Sequence, residues 1–392
     1  MTIFVTNIWN HYTTTIGAPL AALLGEDNFR LVLVSPVQEE PEFKSRISMG
    51  WKFELPKYKW LVPNPMTSKE LACGEAVRLI ETADVAVIGA LYACKRLFKA
   101  VRKRVRSGKL TFFANERFIK EYVTLADFIN PRKVYNWLCQ HWLLSHKNVH
   151  YLPISHWGAE DARFLCGVKG RVWKWAYMPE LSNEPVAKPS HDQFRIGWCG
   201  RMIEWKHPDL ILRAVALLPD EYRNRCRVSF VGDGECRESL VRLASELKLS
   251  GIVDYHPFMA VPEVAKWMSG LDAYVFPSDI EEGWGVVLAE AMDKCCVPIA
   301  CVEAGATLDL IDDGENGFIF EKGDLGRVAR KVMWLMDHPA EAKTMGLAAW
   351  KSLRERTPEE CAKRLVRLVQ GIKTGDLSQL PKSGICSPCS LS

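Results

Sequence analysis

Apolar residues in this chain gather into short runs, each closed by polar or glycine-containing turns. The first half holds Ile3–Thr6, Leu31–Val34, Val85–Ile88, Thr111–Phe113 and Val149–Leu152. Amphipathic or mixed stretches separate them, the alternation expected of a parallel sheet with crossover helices. The rhythm breaks at Met178–Ser190, where three prolines and no periodicity predict an interdomain linker. It resumes with strands predicted at Arg195–Cys199, Arg227–Val231, Ile252–Tyr255, Ala273–Phe276, Val297–Cys301 and Phe318–Phe320. Helices are predicted at Pro208–Leu218, with Pro at its first position, at Arg237–Leu247 and at Val261–Ser269. From about residue 325 to 372 the pattern is helical, with no strand.

The expectation is an α/β protein of two Rossmann-like, doubly wound domains facing a cleft. The first spans 1–180, a linker 181–190 and the second 191–336. Helices over 337–375 are expected to return toward the first domain, and 376–392 to be a disordered tail.

Composition narrows the class. A length of 392 residues exceeds what a single core usually reaches. Apolar residues make up 48% and charged residues 25%, ordinary for a soluble globular protein. A net charge of +4 gives no global attraction to nucleic acid. No apolar run is long enough to cross a bilayer, and the start, Met1–Asn7, reads as a strand and not a signal peptide. The 13 cysteines sit mostly in apolar segments, the usage of reduced thiols in a cytoplasmic protein. Cys386 and Cys389 form a lone CxxC without the second pair that zinc would need.

Two local features carry more information. Lys95–Lys109 holds eight Lys or Arg, with Cys94, Leu97, Phe98, Val101 and Val105 on one helical stripe. Such a helix lies on an anionic membrane or packs its stripe on the sheet with its charges in water; the second reading is preferred, and the two can coexist, because charges left in water can still touch headgroups. The other feature is Ser278–Glu290, a loop between a predicted strand and a helix start. Gly283 and Gly285 let backbone approach a ligand, and the new helix offers N–H groups to an anion. Glu282 and Glu290 flank that turn, so their carboxylates can accept from hydroxyls in one crevice. Two more predicted strand ends share this edge. Gly200–Lys206 places Arg201 and Lys206 in one loop, suited to a diphosphate. Val231–Gly234 forms a tight turn at Gly232 that opens a helix.

Taken together, Gly200-Arg201…Lys206, Val231-Gly232-Asp233-Gly234, Glu282-x7-Glu290 and Gly314–Gly317 resemble the glycosyltransferase family 4 type of retaining, GT-B-fold enzyme. The resemblance covers roughly residues 195–320. It implies that Arg201 and Lys206 grip the donor diphosphate, that Glu282 faces the donor sugar, and that Glu290 holds the ribose. Gly283-Trp284-Gly285 stands where Gly-Phe-Gly is commoner, and these residues join Gly232 as donor-binding candidates. The first half resembles the family less. Asn7–Tyr12 replaces a glycine-rich loop, and the stretch around Asn115–Arg117 lacks an expected histidine. His156 is the substitute catalytic candidate beside Glu282, with His11 and Glu116 as acceptor or cleft candidates. Trp173–Tyr177 looks like the approach to the hinge in such sequences.

The implied activity is transfer of a sugar, with retention, from a UDP- or GDP-sugar to a glycan, lipid-linked or other acceptor. No metal or other cofactor is expected, since no Asp-x-Asp cluster is placed to hold one. No nucleic-acid partner is expected either, while peripheral contact with an anionic membrane stays open. An epimerase or phosphorylase on the same architecture, or a non-catalytic nucleotide-sugar binder, are the rivals.

Overall fold

Most of the described strands are near-continuous apolar runs, and all of them pair in parallel. In the computed structural model, which describes residues 1–7, 9–35, 55–63, 73–89, 91, 95–121, 124–168, 170–189 and 191–389, two six-stranded sheets result. Inner strands such as β4 (Val85–Ile88), β6 (Val149–Pro153), β10 (Ala273–Phe276) and β11 (Val297–Cys301) are buried along their whole length. Burial on both faces explains why they read as runs and not as alternation.

The chain divides into two units. The first holds Met1–Ile119, Val123–Glu180 and Glu355–Ser392, and the second Leu181–Arg354 with Lys120–Tyr122. In the first, β1 (Thr2–Thr6), β2 (Phe29–Leu33), β3 (Leu61–Val62), β4, β5 (Leu110–Asn115) and β6 run in the order β3-β2-β1-β4-β5-β6. In the second, β7 (Phe194–Cys199), β8 (Cys226–Val231), β9 (Val253–His256), β10, β11 and β12 (Phe318–Phe320) run β12-β11-β10-β7-β8-β9. Counted within each unit these are one topology, the Rossmann order, which reverses direction between the first and fourth strands. Chain order changes direction at β1/β4 in one sheet and at β7/β10 in the other, and ligands of such sheets bind outside the carboxyl ends there.

The predicted strands and these strands agree within a residue or two. The strand not foreseen is β3, two residues at a sheet edge. Helix Asp209–Ala216 begins one residue later than expected, with Pro208 as its N-cap. Of the closing helices, Pro339–Ser352 belongs to the second unit and packs on β11 and on helix Val286–Asp293. Helix Pro358–Thr374 belongs to the first and packs on helix Gly17–Leu24.

The end of the chain differs from the expected disordered tail. Residues 384–389 run along Val172–Lys174: Cys386 N donates to Lys174 O at 2.8 Å, Lys174 N to Ser387 O at 2.9 Å and Cys389 N to Val172 O at 3.0 Å. Ile385 and Cys386 are fully buried, and burial pushes the Cys386 thiol well above its usual range. A segment paired to one short irregular partner carries no period, so its order is invisible to pattern reading.

Helix Lys95–Arg106 packs its apolar stripe inward. Leu97, Val101 and Val105 are in the core of the first unit, while Cys94 and the side chain of Lys95 lie outside the described residues, as do Ile8 and Ser190. Arg104 is also buried. Its guanidinium donates to Thr111 Oγ1 at 2.9 Å and to the carbonyls of Ile80, Ala83, Asp84 and Leu110. Burial lowers its pKa to about 10 even so. One of the eight cations is thus a structural clamp, with its donors met by carbonyls as a buried charge requires.

Candidate active site

At the β7/β10 switch the strands pair Ala273 with Ile196 and Tyr274 with Gly197. The loops that leave them are therefore neighbours, and they carry the charged candidates. After β7, Gly200 N donates to Val231 O at 3.0 Å and Met202 N to Asp233 O at 2.8 Å, so this loop lies backbone-to-backbone on the one after β8. Gly232 makes the contact possible. It sits at φ 129°, and a Cβ there would lie 2.0 Å from Gly200 O. The turn then tightens into a 3-10 helix, Glu204–Lys206, which folds the Lys206 side chain back toward the sheet.

The loop after β10 meets it. Asp279 N donates to Trp205 O at 3.0 Å, and Lys206 Nζ forms an ion pair with Glu282 Oε2, both side chains being nearly buried. Lys206 also lies 4.5 Å above the Trp205 ring. The two residues expected to serve diphosphate and sugar separately are joined here.

Gly285, at φ 87°, starts helix Val286–Asp293, and a Cβ there would lie 2.1 Å from Phe276 Cζ. Only glycine lets the helix begin this close to the strand end. Glu290 is half-buried over a turn into that helix. On β10, the hydroxyl of the buried Tyr274 bonds the Cys199 N–H and carbonyl, each at 3.1 Å. Burial raises its pKa well above the phenol range, and Cys199, Glu290 and Glu282 add to the rise.

Arg201 is exposed at the same edge. Trp284 is 1% exposed, and its carbonyl accepts from Ala306 N at 2.9 Å. What this part of the motif presents is backbone, with the Gly283 carbonyl held against Gly305.

A second layer of charge was not foreseen. Asp279 accepts from His207 Nε2 at 2.9 Å, Lys322 Nζ at 2.9 Å and Glu281 N at 3.1 Å. Burial works against its charge, yet the bonds from Lys322, Glu281 N–H and His207 outweigh it and hold the carboxyl below its usual range. Lys322 comes from the turn after β12 and also lies 4.0 Å from Glu303. The only sequence signal was the position of Asp279 just past a strand end, and the left-handed His207 (φ 45°) that turns the ring toward it is not readable from residue type.

The other candidates lie in the first unit, again beyond the carboxyl ends of strands. His156 is exposed at the start of helix His156–Cys166, after Ser155, whose Oγ accepts from Gly158 N at 3.1 Å. Its ring meets Trp157 edge-on at 5.4 Å. His11 packs edge-on to Tyr12 at 5.1 Å, Tyr12 lies 5.0 Å from Tyr177, and Tyr177 Oη donates to Glu116 Oε1 at 2.8 Å. Tyr12 and Tyr177 thus link His11 and Glu116. A cavity of about 20 Å³ lies near, lined by Gly89, Asn115, Gln140 and Tyr151. It has room for about one water and not for a sugar. Among the described residues, no group of three or more His, Cys, Asp or Glu is arranged to hold a metal ion.

Two doubly wound units of this order give the GT-B fold, and solved structures bear this out. Anabaena Alr3699/HepE in complex with UDP superposes with a TM-score of 0.68 at 15% identity, over 94% of this chain and 99% of that one. The lipopolysaccharide outer core galactosyltransferase WaaB, apo form, gives 0.66 at 15% identity, over 95% and 100%. At the level of family, residues 182–352 match the model for glycosyl transferases group 1. D-inositol 3-phosphate glycosyltransferase of Thermomonospora curvata is 29% identical over 190 residues, 46% of this chain and 44% of the relative. The enzyme of that name from Streptomyces avermitilis is 32% identical over 161 residues, 39% and 34%. The chain thus spans less than half the length of these curated relatives.

Proposed function

We propose that this protein is a retaining glycosyltransferase of the family 4 type, taking its sugar from a nucleotide diphosphate donor such as a UDP-sugar. The observation that carries the reading is the β7/β10 switch point, where Lys206 pairs with Glu282 and Glu290 lies over a turn into the glycine-started helix. The group 1 match over 182–352 supports it, as does the structure of Alr3699/HepE in complex with UDP-glucose.

In this reading the second unit binds the donor. Cleavage of the anomeric C–O bond leaves negative charge on the diphosphate. Lys206, Arg201 and the N–H groups that follow Gly285 stabilise it, pre-oriented where the charge develops. Glu290 accepts from the ribose hydroxyls. Glu282, released from Lys206, orients the sugar and shares the positive charge growing on its ring. Asp279, His207 and Lys322 fix the loop that carries Glu282. The first unit supplies acceptor contacts from His11, Glu116 and His156, the acceptor being a glycan or lipid-linked hydroxyl. No metal takes part, and transfer that persists in excess EDTA is the expected result.

Incubation with a panel of UDP- and GDP-sugars, followed by product analysis, tests the reading. Expected is nucleoside diphosphate released together with a new α-linked product from an α-linked donor. An isomerised donor with no transfer indicates an epimerase, and turnover that requires inorganic phosphate indicates a phosphorylase. Peripheral contact with an anionic membrane is part of the proposal, because a lipid-linked acceptor is held there.

A further inference from the structure

Helix Lys95–Arg106 spends its apolar stripe on the core, so it has none to insert in a bilayer. A set of exposed apolar residues belongs to the segment that meets it at Trp142. Phe128 and Ile129 end a 3-10 turn, Leu125–Ile129, and are 50% and 81% exposed. Asn130 then caps helix Pro131–Ser145, its side chain accepting from Arg132 N and Lys133 N. This helix is apolar on two sides. Leu143 and Leu144 face inward and are buried. Tyr135, Leu138 and Cys139 follow at spacings of three and four on one stripe, while Trp142, a turn further on, packs against the core of the first unit. Tyr135 and Leu138 are 61% and 62% exposed. An outward stripe of this kind costs solubility and calls for a cover.

The charge beside it says what the cover is. Arg102 and Arg106, exposed on helix Lys95–Arg106, each lie 5.4 Å from the Trp142 ring. Arg132 is exposed one turn before Tyr135. The nearby carboxylate, Asp127, is turned inward onto Lys133 Nζ at 2.8 Å and the Thr124 N–H at 2.7 Å. Aliphatic residues, a Tyr and a Trp at the border and guanidinium groups along the rim suit an interface whose core is hydrocarbon and whose surface is negative. We infer that Phe128, Ile129, Tyr135 and Leu138, flanked by Arg102, Arg106 and Arg132, dock on an anionic lipid bilayer. This deepens the membrane contact of the reading above and rests on it. Its test uses no sugar donor, so its failure is distinguishable from failure of the transferase reading.

The full chain is sedimented with vesicles of phosphatidylcholine alone or mixed with phosphatidylglycerol. Expected is binding to the mixed vesicles that weakens with added salt, and little to phosphatidylcholine. Ile129→Asp with Leu138→Asp should reduce partitioning about tenfold or more. Arg102→Glu with Arg106→Glu should remove the preference for phosphatidylglycerol, and both variants should keep the parent's affinity for UDP. Ile129→Ser, a milder change, replaces the aspartate pair should that pair misfold, and is expected to weaken binding several-fold. Absence of vesicle binding by the parent overturns the inference, as does equal binding by the aspartate variant. So does a dimer, detected by light scattering, that the aspartate pair splits without altering vesicle binding, since the stripe is then an interface between copies.

Discussion

The two sheets share one strand order, yet their switch-point edges differ in chemistry. At β7/β10 the edge is charged and rigid: an ion pair, a carboxylate held by three donors, and glycines that lock loop to loop. At the edge of the first unit a chain of rings, His11, Tyr12 and Tyr177, leads to the Glu116 carboxylate, and the neighbouring Arg117 is closed off in a buried ion pair with Asp161 at 3.5 Å. Topology fixes where a crevice lies, while the residues placed there decide what it takes. Charges over a helix start suit a diphosphate. Rings with a carboxylate suit a hydroxyl-bearing acceptor, since sugar faces pack on rings and hydroxyls donate to carboxylates.

The sharpest way to break this comparison is Glu282→Gln. Transfer should fall on the order of 10²–10³-fold, the usual loss for a pre-oriented polar group at a reacting centre. Affinity for UDP should hold or rise, because the neutral amide releases Lys206 from its ion pair. Titration calorimetry beside a transfer assay reads both, and lost UDP affinity with retained turnover would reverse the roles.

Gly232→Ala comes next. The new Cβ would press on Gly200 O, so the second unit should lose about 2–3 kcal/mol of stability by urea denaturation. A neutral result would mean that the loops after β7 and β8 do not lean on each other.

Lys206→Ala should weaken UDP about tenfold, the value of a charge-assisted bond, and Arg201→Ala less, since its side chain is exposed. Substitutions on the other edge make the contrast. His11→Ala and Glu116→Gln should leave UDP affinity unchanged and raise the acceptor KM several-fold, and an effect on UDP instead would erase the division of labour.

The smallest effect is one of pH. His150 accepts the Trp173 indole N–H at 3.0 Å, and burial lowers its pKa to about 4. The stability this neutral ring provides is complete above about pH 6.5, the unperturbed value, and is lost as pH falls through 4, because the unfolded chain binds the proton first. Thermal melts from pH 7 to pH 4 should show that loss, and His150→Gln should flatten it.

Much of this could be read from the chain alone. Buried parallel strands need apolar runs, so eleven of the twelve strands among the described residues were legible. Loops at their carboxyl ends need glycines and charges, so Arg201, Lys206, Gly232, Glu282, Gly285 and Glu290 stood out. The tertiary structure decided the rest. It paired Lys206 with Glu282, set Asp279, His207 and Lys322 behind them, buried Trp284 and turned Arg104 into a clamp. It also ordered residues 384–389 against Val172–Lys174 and left the stripe of Tyr135 and Leu138 outside. The physical reason is range. Strand and helix patterns follow from neighbours a few residues apart, whereas an ion pair 76 residues apart in sequence exists only after the sheet has brought its ends together.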